Sequence, residues 1–541
     1  MEPSPSCRPG RRAVLAALGV AITVTAATRP AAASAGAAGV AGEASPARVS
    51  GKRQLRGLWV TSLDNIDWPQ RSGLSAERLR ADFVALLDEA SAIGFNAVFV
   101  QVRPTADAFW PSPFEPWSQW LTGAQGQNPG WDPLQFMIGA AHERGLAFHA
   151  WFNPFRVAIQ PDPAKLLPSH PARRNPDWAV VYNGEIYYNP GVPAVRTFVQ
   201  QAVMDAVQRY DIDGVHIDDY FYPYPAPGTV EFPDDAAFAA DSRGFTDRAA
   251  WRRDNVNLMV RQLRDLVRAA RPEAAYGISP FAVWRNHTSD PVGSATIALQ
   301  SYDAQYSDSR AWVRNGWVDY IAPQIYWYIG FTVADYAVLA PWWAEQTAGT
   351  DTQLWIGQSA ARPGAPGRPA PWQDPAELSR HLALNATLPA IGGDIFFSAR
   401  SVRIDRIGAI KRLAADHWNH PALAPLLPRL AHGTPPGPPT LQTLGDRRTV
   451  RITPWFGAES SDPFKYAIYC YDSDPGPAPP PDPARLASLL PALTVDHYQP
   501  PAGATGAWLA ATAVDRAGRE GPASSPVRIP EGTGSSISPR R

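Results

Sequence analysis

Two consecutive aspartates, Asp218 and Asp219, close the apolar run Gly214-Val215-His216-Ile217. Hydrolysis of a glycosidic bond uses such groups. One carboxylic acid protonates the leaving oxygen while a second acts as base or nucleophile, about 5–5.5 Å away for retention or ~6.5–9.5 Å for inversion. Side chains alternate along a strand, so His216, Asp218 and Tyr220 share one orientation and Asp219 points aside. Asp218 is the first choice for a catalytic carboxylate. Asp219 is the second, as its partner or as an orienter of Tyr220 and a nearby arginine, with Asp303 and Asp107 as further candidates for the second carboxylate. The plainer reading is that an Asp-Asp at a strand end satisfies backbone N–H groups in a turn.

The other strand ends are unusually polar and aromatic. Gln101 and Arg103 precede Asp107; His149, Trp151 and Asn153 precede Arg156; Trp284 adjoins Arg285; and Gln324 precedes Tyr326 and Trp327. Gln101, Arg103, Asp107, His149, Asn153, Arg156, His216, Tyr220, Arg285, Gln324 and Tyr326 are candidates for binding sugar hydroxyls and N-acetyl groups. Trp151, Trp284 and Trp327 offer rings on which the apolar faces of pyranoses stack. An arginine nearby keeps one carboxylate ionised, and aromatic surroundings raise the pKa of another. Two rivals remain open. One is a barrel that binds glycan without cutting it. The other is a metal-dependent deacetylase or amidase built on His149, His216 and Asp218, although no H-E-x-x-H or H-x-H signature is present. The expected chemistry needs no cofactor and no metal.

Eight short apolar runs alternate with amphipathic helical stretches from Arg56 onward: 57–61, 97–103, 146–151, 214–218, 276–281, 320–326, 354–358 and 394–398. Strands alternating with helices specify a parallel sheet, and eight of them specify a closed (β/α)₈ TIM barrel of the α/β class. In such barrels the chemistry sits at the C-terminal ends of the strands. Helix signals agree. Ser75 precedes a stripe of Leu79, Phe83, Leu86, Leu87 and Ala90 that stops at Gly94, and Asp132-Pro133 opens a helix that stops at Gly145.

With 541 residues, 45% hydrophobic, the chain can build one large core and a smaller one. Its 49 basic and 50 acidic residues leave a net charge of −1 without long charge runs, so no nucleic-acid footprint is expected. Two cysteines exclude a Cys-based metal site, and the absence of a G-x-S-x-G elbow argues against a serine hydrolase. Arg11-Arg12, the apolar stretch 13–22 and Ala31-Ala32-Ala33-Ser34-Ala35 read as an export signal over 1–35, in the twin-arginine manner. No later stretch is long and apolar enough to span a membrane. The remaining boundaries are a linker at 36–53, the barrel at 54–420 and a Pro-rich linker at 421–440. A small all-β sandwich follows at 441–530, with a disordered tail at 531–541.

The motifs of residues ~54–418 resemble those of glycosyl-hydrolase-like family 10. The matching pieces are Arg56-Gly57-Leu58-Trp59-Val60-Thr61, Phe99-Val100-Gln101-Val102-Arg103-Pro104, Trp131-Asp132-Pro133-Leu134 and His149-Ala150-Trp151-Phe152-Asn153-Pro154-Phe155-Arg156. They continue through Asp213-Gly214-Val215-His216-Ile217-Asp218-Asp219-Tyr220 and Ile278-Ser279-Pro280-Phe281 to Ala322-Pro323-Gln324-Ile325-Tyr326-Trp327. Ala147-Phe148 departs from the pattern, where the family often has an acidic residue. The resemblance implies an exported glycosidase of the cell envelope, acting on a polysaccharide such as peptidoglycan glycan strands stripped of their peptides. It does not identify the acid and the base. Trp455, Tyr466-Ala467-Ile468-Tyr469 and the run 513–520 give the C-terminal part a resemblance to fibronectin type III domains, which the barrel family often carries.

Overall fold

The computed structural model describes residues 51–530, apart from 227, 229, 446–448, 458, 459, 502 and 503. The expected export signal 1–35, most of the linker 36–53 and the tail 531–541 lie outside the described residues. Eight parallel strands, each hydrogen-bonded to its sequence neighbours, close into a barrel. They are β1 (Leu55–Val60), β2 (Ala97–Arg103), β3 (Ala147–Phe152), β4 (Gly214–Ile217), β5 (Ala275–Ile278), β6 (Tyr320–Ile321), β7 (Gln353–Ser359) and β8 (Ile391–Phe397). All eight expected strands are present. β6 is far shorter than 320–326 because Pro323 has no N–H to donate. Isolated bridges from Gln324 to Phe281 and Gly357 carry the sheet past that gap.

Local signals set the helices that cover the barrel. In α1 (Ala76–Ile93) the Ser75 side chain accepts from the Arg78 N–H, and Gly94 ends the helix at φ 107°, a conformation that suits glycine. Its stripe of Leu79, Phe83, Leu86, Leu87 and Ala90 is buried against the sheet, each large side chain contributing about 1.5–3 kcal/mol. In α2 (Pro133–His142) Asp132 accepts from the Gln135 N–H, with Pro133 in the first turn. The helices α3 (Pro193–Arg209) and α4 (Arg248–Ala270) pack beside each other on the outside.

The lumen is filled rather than hollow. Phe99 stacks on His149 at 4.4 Å and Tyr320 on Trp355 at 4.0 Å, with Trp59 and His216 above them. Gly214 leaves the space that the His149 ring occupies; a Cβ there would lie 2.3 Å from His149 Nδ1. Everything polar that faces the open end must therefore stand on this aromatic floor.

The C-terminal part is all-β. β9 (Thr440–Thr443), β10 (Val450–Thr453) and β13 (His497–Tyr498) form one antiparallel sheet. β11 (Lys465–Tyr471), β12 (Leu486–Pro491), β14 (Trp508–Val514) and β15 (Val527–Arg528) form another. Val450 and Ile452 of the first share a core with Tyr466, Ile468, Leu509 and Ala511 of the second. This part docks on the end of the barrel where the strands begin. Lys52 pairs with Glu520 at 2.5 Å, Arg516 pairs with Asp211, and Thr494 donates to the Glu143 carbonyl at 2.8 Å. Residues 421–440, expected as a linker, are pinned there too. Leu423 exchanges backbone bonds with Lys52 and Gln54, and Arg429 pairs with Asp319 at 2.6 Å.

Candidate active site

Asp218 follows directly on β4, and strand alternation turns its carboxyl inward over His216, as expected. Its Oδ2 accepts from Trp151 Nε1 at 3.0 Å and from Asn153 Nδ2 at 2.9 Å, while Oδ1 faces the Tyr220 N–H at 3.3 Å. Burial, then the neighbouring Asp219 charge, pushes the Asp218 carboxyl up to about 7; Arg156 and the two donors oppose this. Asp219 turns aside from Asp218 but does not leave the site. Its Oδ1 accepts from Gln324 Nε2 at 3.0 Å, its Oδ2 from the Tyr224 hydroxyl, and its carbonyl from Gln305 Nε2 at 3.0 Å. Burial raises the Asp219 carboxyl as well, while Tyr224 and Gln324 favour its charged form.

A third charge completes the group. The Arg156 guanidinium lies 4.0 Å from the centre of the Tyr220 ring and pairs with Glu185 at 3.3 Å. Burial disfavours the cation, but Tyr220, Tyr187, Glu185 and Asp218 together hold it charged. Its backbone N–H donates to Asn153 Oδ1 at 2.8 Å, so one asparagine aligns both the acid and the cation. Arg156 and Glu185 come from a three-stranded antiparallel sheet (Arg156–Ala158, Glu185–Tyr188, Ala179–Tyr182) inserted between β3 and α3. Tyr326 and Trp327, both half-buried, follow β6 close after Gln324. The Tyr326 ring packs on Phe397, and Trp327 meets Phe281 edge-on.

Several expected ligands of the sugar serve the scaffold instead. Arg103 is fully buried; it pairs with Glu115 through two nitrogens and donates to the carbonyls of Asn153 and Pro154. Gln101 Oε1 accepts from the Ser62 and Leu63 N–H groups, fixing the loop after β1. Asp107 is neither second carboxylate nor ligand, because it accepts from the N–H and hydroxyl of Thr105 below the surface. Trp284 donates to Asp308 at 3.0 Å and stacks on Trp342, so its ring is no sugar platform.

His149 and His216 belong to the lumen core. Trp59 donates to His216 Nε2 at 3.1 Å, which places the proton on Nδ1, facing the Tyr320 hydroxyl at 3.0 Å. Tyr320 in turn meets His149 Nδ1 at 3.3 Å. Burial pushes the His149 imidazole down to about 4 and that of His216 well below its ordinary value, so both stay neutral. The rings face Tyr320 rather than converging with Asp218, and no described cluster of His, Cys, Asp or Glu is arranged to hold a metal ion. Asp303 is held by Arg285 at 3.0 Å, and Arg285 also reaches Asp290. None of the contacts of Asp303 is with Asp218 or Asp219.

Residues outside the expected set complete the site. Tyr224 and Gln305 hold Asp219, and Glu185 holds Arg156. Tyr224 was within sight in the aromatic run 220–224, whereas Glu185, at the start of an inserted strand, and Gln305, in a loop, return to β4 with no local signal.

A family described as glycosyl hydrolase-like 10 matches residues 54–374. The chain is 45% identical over 404 residues to glycosyl hydrolase YngK of Bacillus subtilis, covering 74% of this chain and 79% of that protein. It is 37% identical over 407 residues to glycosyl hydrolase DigH of Escherichia coli K12, covering 72% of this chain and 92% of that protein. Among solved structures, the glycoside hydrolase domain of PgaB from Bordetella bronchiseptica matches with a TM-score of 0.42 at 15% identity, covering 68% of this chain and 99% of that one. α-L-Fucosidase isoenzyme 2 from Paenibacillus thiaminolyticus matches with a TM-score of 0.44 at 14% identity, covering 67% of this chain and 49% of that one.

Proposed function

This chain belongs to the glycosyl hydrolase-like 10 family, and on that premise we propose that it hydrolyses an O-glycosidic bond with Asp218 as its general acid. The observation that carries the proposal is the unequal setting of two adjacent carboxyls. Both acceptor positions of Asp218 Oδ2 are taken by Trp151 and Asn153, so the acid proton resides on Oδ1. From there it passes to the leaving oxygen as the bond to the anomeric carbon breaks and that oxygen keeps the electron pair. Asp219, whose charged form Tyr224 and Gln324 favour, faces the positive charge that develops on the sugar. Water then adds its hydroxyl to the anomeric carbon, and the proton it releases restores the acid. Trp327 and Tyr326 provide the apolar surface for the ring.

The substrate in this reading is a cell-envelope polysaccharide, with the peptidoglycan glycan backbone as the first candidate, and the protein is exported. Arg11-Arg12, the apolar stretch 13–22 and the small residues 31–35 support export. The C-terminal pair of antiparallel sheets is read as a fibronectin type III-like sandwich, supported by its shared core. No helix among the described residues is long and apolar enough to cross a membrane.

The test is incubation of the protein with peptide-free glycan strands and identification of the products by mass. Shortened strands are expected. Asp218→Asn should lower the rate by about 10²–10⁴-fold. Cleavage at the wild-type rate by that variant would overturn the assignment of the acid. Failure of the wild type to release any fragment would overturn the glycosidase reading.

A further inference from the structure

The end of β7 holds a cation that the chemistry above does not use. Arg362 lies three residues beyond Ser359 in the loop after β7. That loop is tied to the site. The Ala360 N–H donates to the Phe397 carbonyl at 2.8 Å, and the Phe397 ring carries Tyr326. Arg362 and Asp219 both act electrostatically on the Tyr326 hydroxyl, so the guanidinium belongs to the same mouth as the carboxylate pair.

Arg362 is half-buried, yet its guanidinium has no ion-pair or hydrogen-bond partner among the described residues. Two other arginines at this end of the barrel are spoken for. Arg156 has Glu185, and Arg285 has Asp303 and Asp290. Burial, with repulsion from Arg368 adding to it, pushes the Arg362 guanidinium down to about 10, the mark of a desolvated and uncompensated charge. A cation that gives up hydration without gaining an anion is costly unless a ligand supplies one. The side chains of Arg368 and Arg400, beyond the ends of β7 and β8, have no carboxylate partner among the described residues either, although the Arg400 backbone N–H donates to Asp67 at 2.7 Å. Three arginines, Arg362, Arg368 and Arg400, thus follow the ends of β7 and β8.

We propose that Arg362 binds a carboxylate carried by the glycan, so that the site takes an acidic saccharide. A guanidinium matches a carboxylate through two parallel hydrogen bonds, which gives orientation as well as affinity. Two sources share this chemistry. One is the lactyl ether of a muramic residue whose carboxyl is free of peptide, and the other is the C6 carboxylate of a uronic acid. The proposal rests on the reading of the site as a glycan site but does not require turnover.

Equilibrium binding in the Asp218→Asn background, where substrate survives, separates the two claims. The probes are peptide-free peptidoglycan glycan, a polyuronate, and each of these after carboxyl reduction to the alcohol. At least one acidic glycan should bind about 10- to 100-fold tighter than its reduced form, the range expected for one charge-assisted pair. Arg362→Gln in the same background should erase that preference by weakening the acidic ligand alone, and Arg362→Lys should restore part of it. Which acidic glycan is preferred identifies the source. Equal binding of acidic and reduced forms, binding of neither acidic glycan, or an undiminished preference in Arg362→Gln would each overturn the proposal. If the wild type cleaves acidic and reduced strands alike, the glycosidase reading stands and this inference falls. If nothing is cleaved but the binding preference follows Arg362, the reverse holds.

Discussion

Asp218 and Asp394 have almost the same electrostatic description and very different surroundings. Each is a buried carboxyl at a barrel strand, and burial pushes each up to about 7. Asp394, on β8, points out of the barrel toward the helices and accepts from Gln358 at 2.9 Å and Asn385 at 2.8 Å. Gln358 goes on to Tyr336 and His381, and Tyr336 lies flat on His381 at 3.7 Å. Every member of that network is buried. Asp218 instead has a second carboxyl beside it, a cation in Arg156, and the half-exposed Tyr220, Gln324 and Tyr326 around it. A raised carboxyl thus reports burial. Only a second charge and an open side make it a candidate for chemistry.

Exchanging each aspartate for asparagine breaks this comparison most directly. Asp218→Asn keeps an oxygen for Trp151 and Asn153 and turns its new amide toward the mouth, so stability should change little while activity collapses. Asp394→Asn likewise keeps an oxygen for Gln358 and Asn385, which both donate to Oδ1, but its new amide is shut inside a buried network instead of turning toward the mouth. A loss of about 1–3 kcal/mol in denaturant unfolding is expected, with turnover within about twofold. If Asp394→Asn abolished turnover at unchanged stability, the distinction between the two regions would fail.

Acidity sharpens the same contrast. A general acid with a carboxyl near 7 works while protonated, so the rate should fall as pH rises through about 7. Both carboxyls lie above their unfolded value of about 3.9, so the native state binds the extra protons. The stability they contribute is full below that value and is lost as pH rises through about 7. Asp67 and Asp107, raised to about 6 by burial, add the same sign. Unfolding free energies at pH 5 and pH 8 should differ less in either asparagine variant than in the wild type. Only Asp218→Asn should also remove the alkaline limb of the rate profile. A wild-type rate that rises through pH 7 would contradict the acid role.

The barrel was legible because it rests on local periodicity. All eight strands lie within about three residues of their expected starts, and Ser75, Asp132 and Gly94 cap the helices as their residue types suggest. The Asp218–Asp219 pair was legible from its place at a strand end. What sequence could not separate was ligand from buttress, because that depends on partners far along the chain. Arg103 is neutralised by Glu115 in a separate loop, Trp284 is tethered by Asp308, and His149 and His216 meet Tyr320 from another strand. Asp303 looked free until Arg285 folded back on it. Arg362 lies past a strand, 354–358, from whose end no residue was expected to act.

The smallest expected effect comes from a matched pair of glutamines. Gln324 donates to Asp219 and to the Ser279 carbonyl, as Gln358 donates to Asp394 and to Tyr336. Removing Gln324 deprives a carboxylate that must stay charged of one donor, so the Asp219 carboxyl moves further up. In Gln324→Ala the low-pH side of the rate profile should therefore shift toward higher pH, with a rate loss of about tenfold or less for one hydrogen bond. Gln358→Ala removes an equivalent bond from a group with no chemistry to perform, and should lower stability while leaving the profile in place. A rate profile displaced equally by both variants would mean that the two networks communicate through β7 and β8. The acid site would then be tuned from outside the barrel as well as from its mouth.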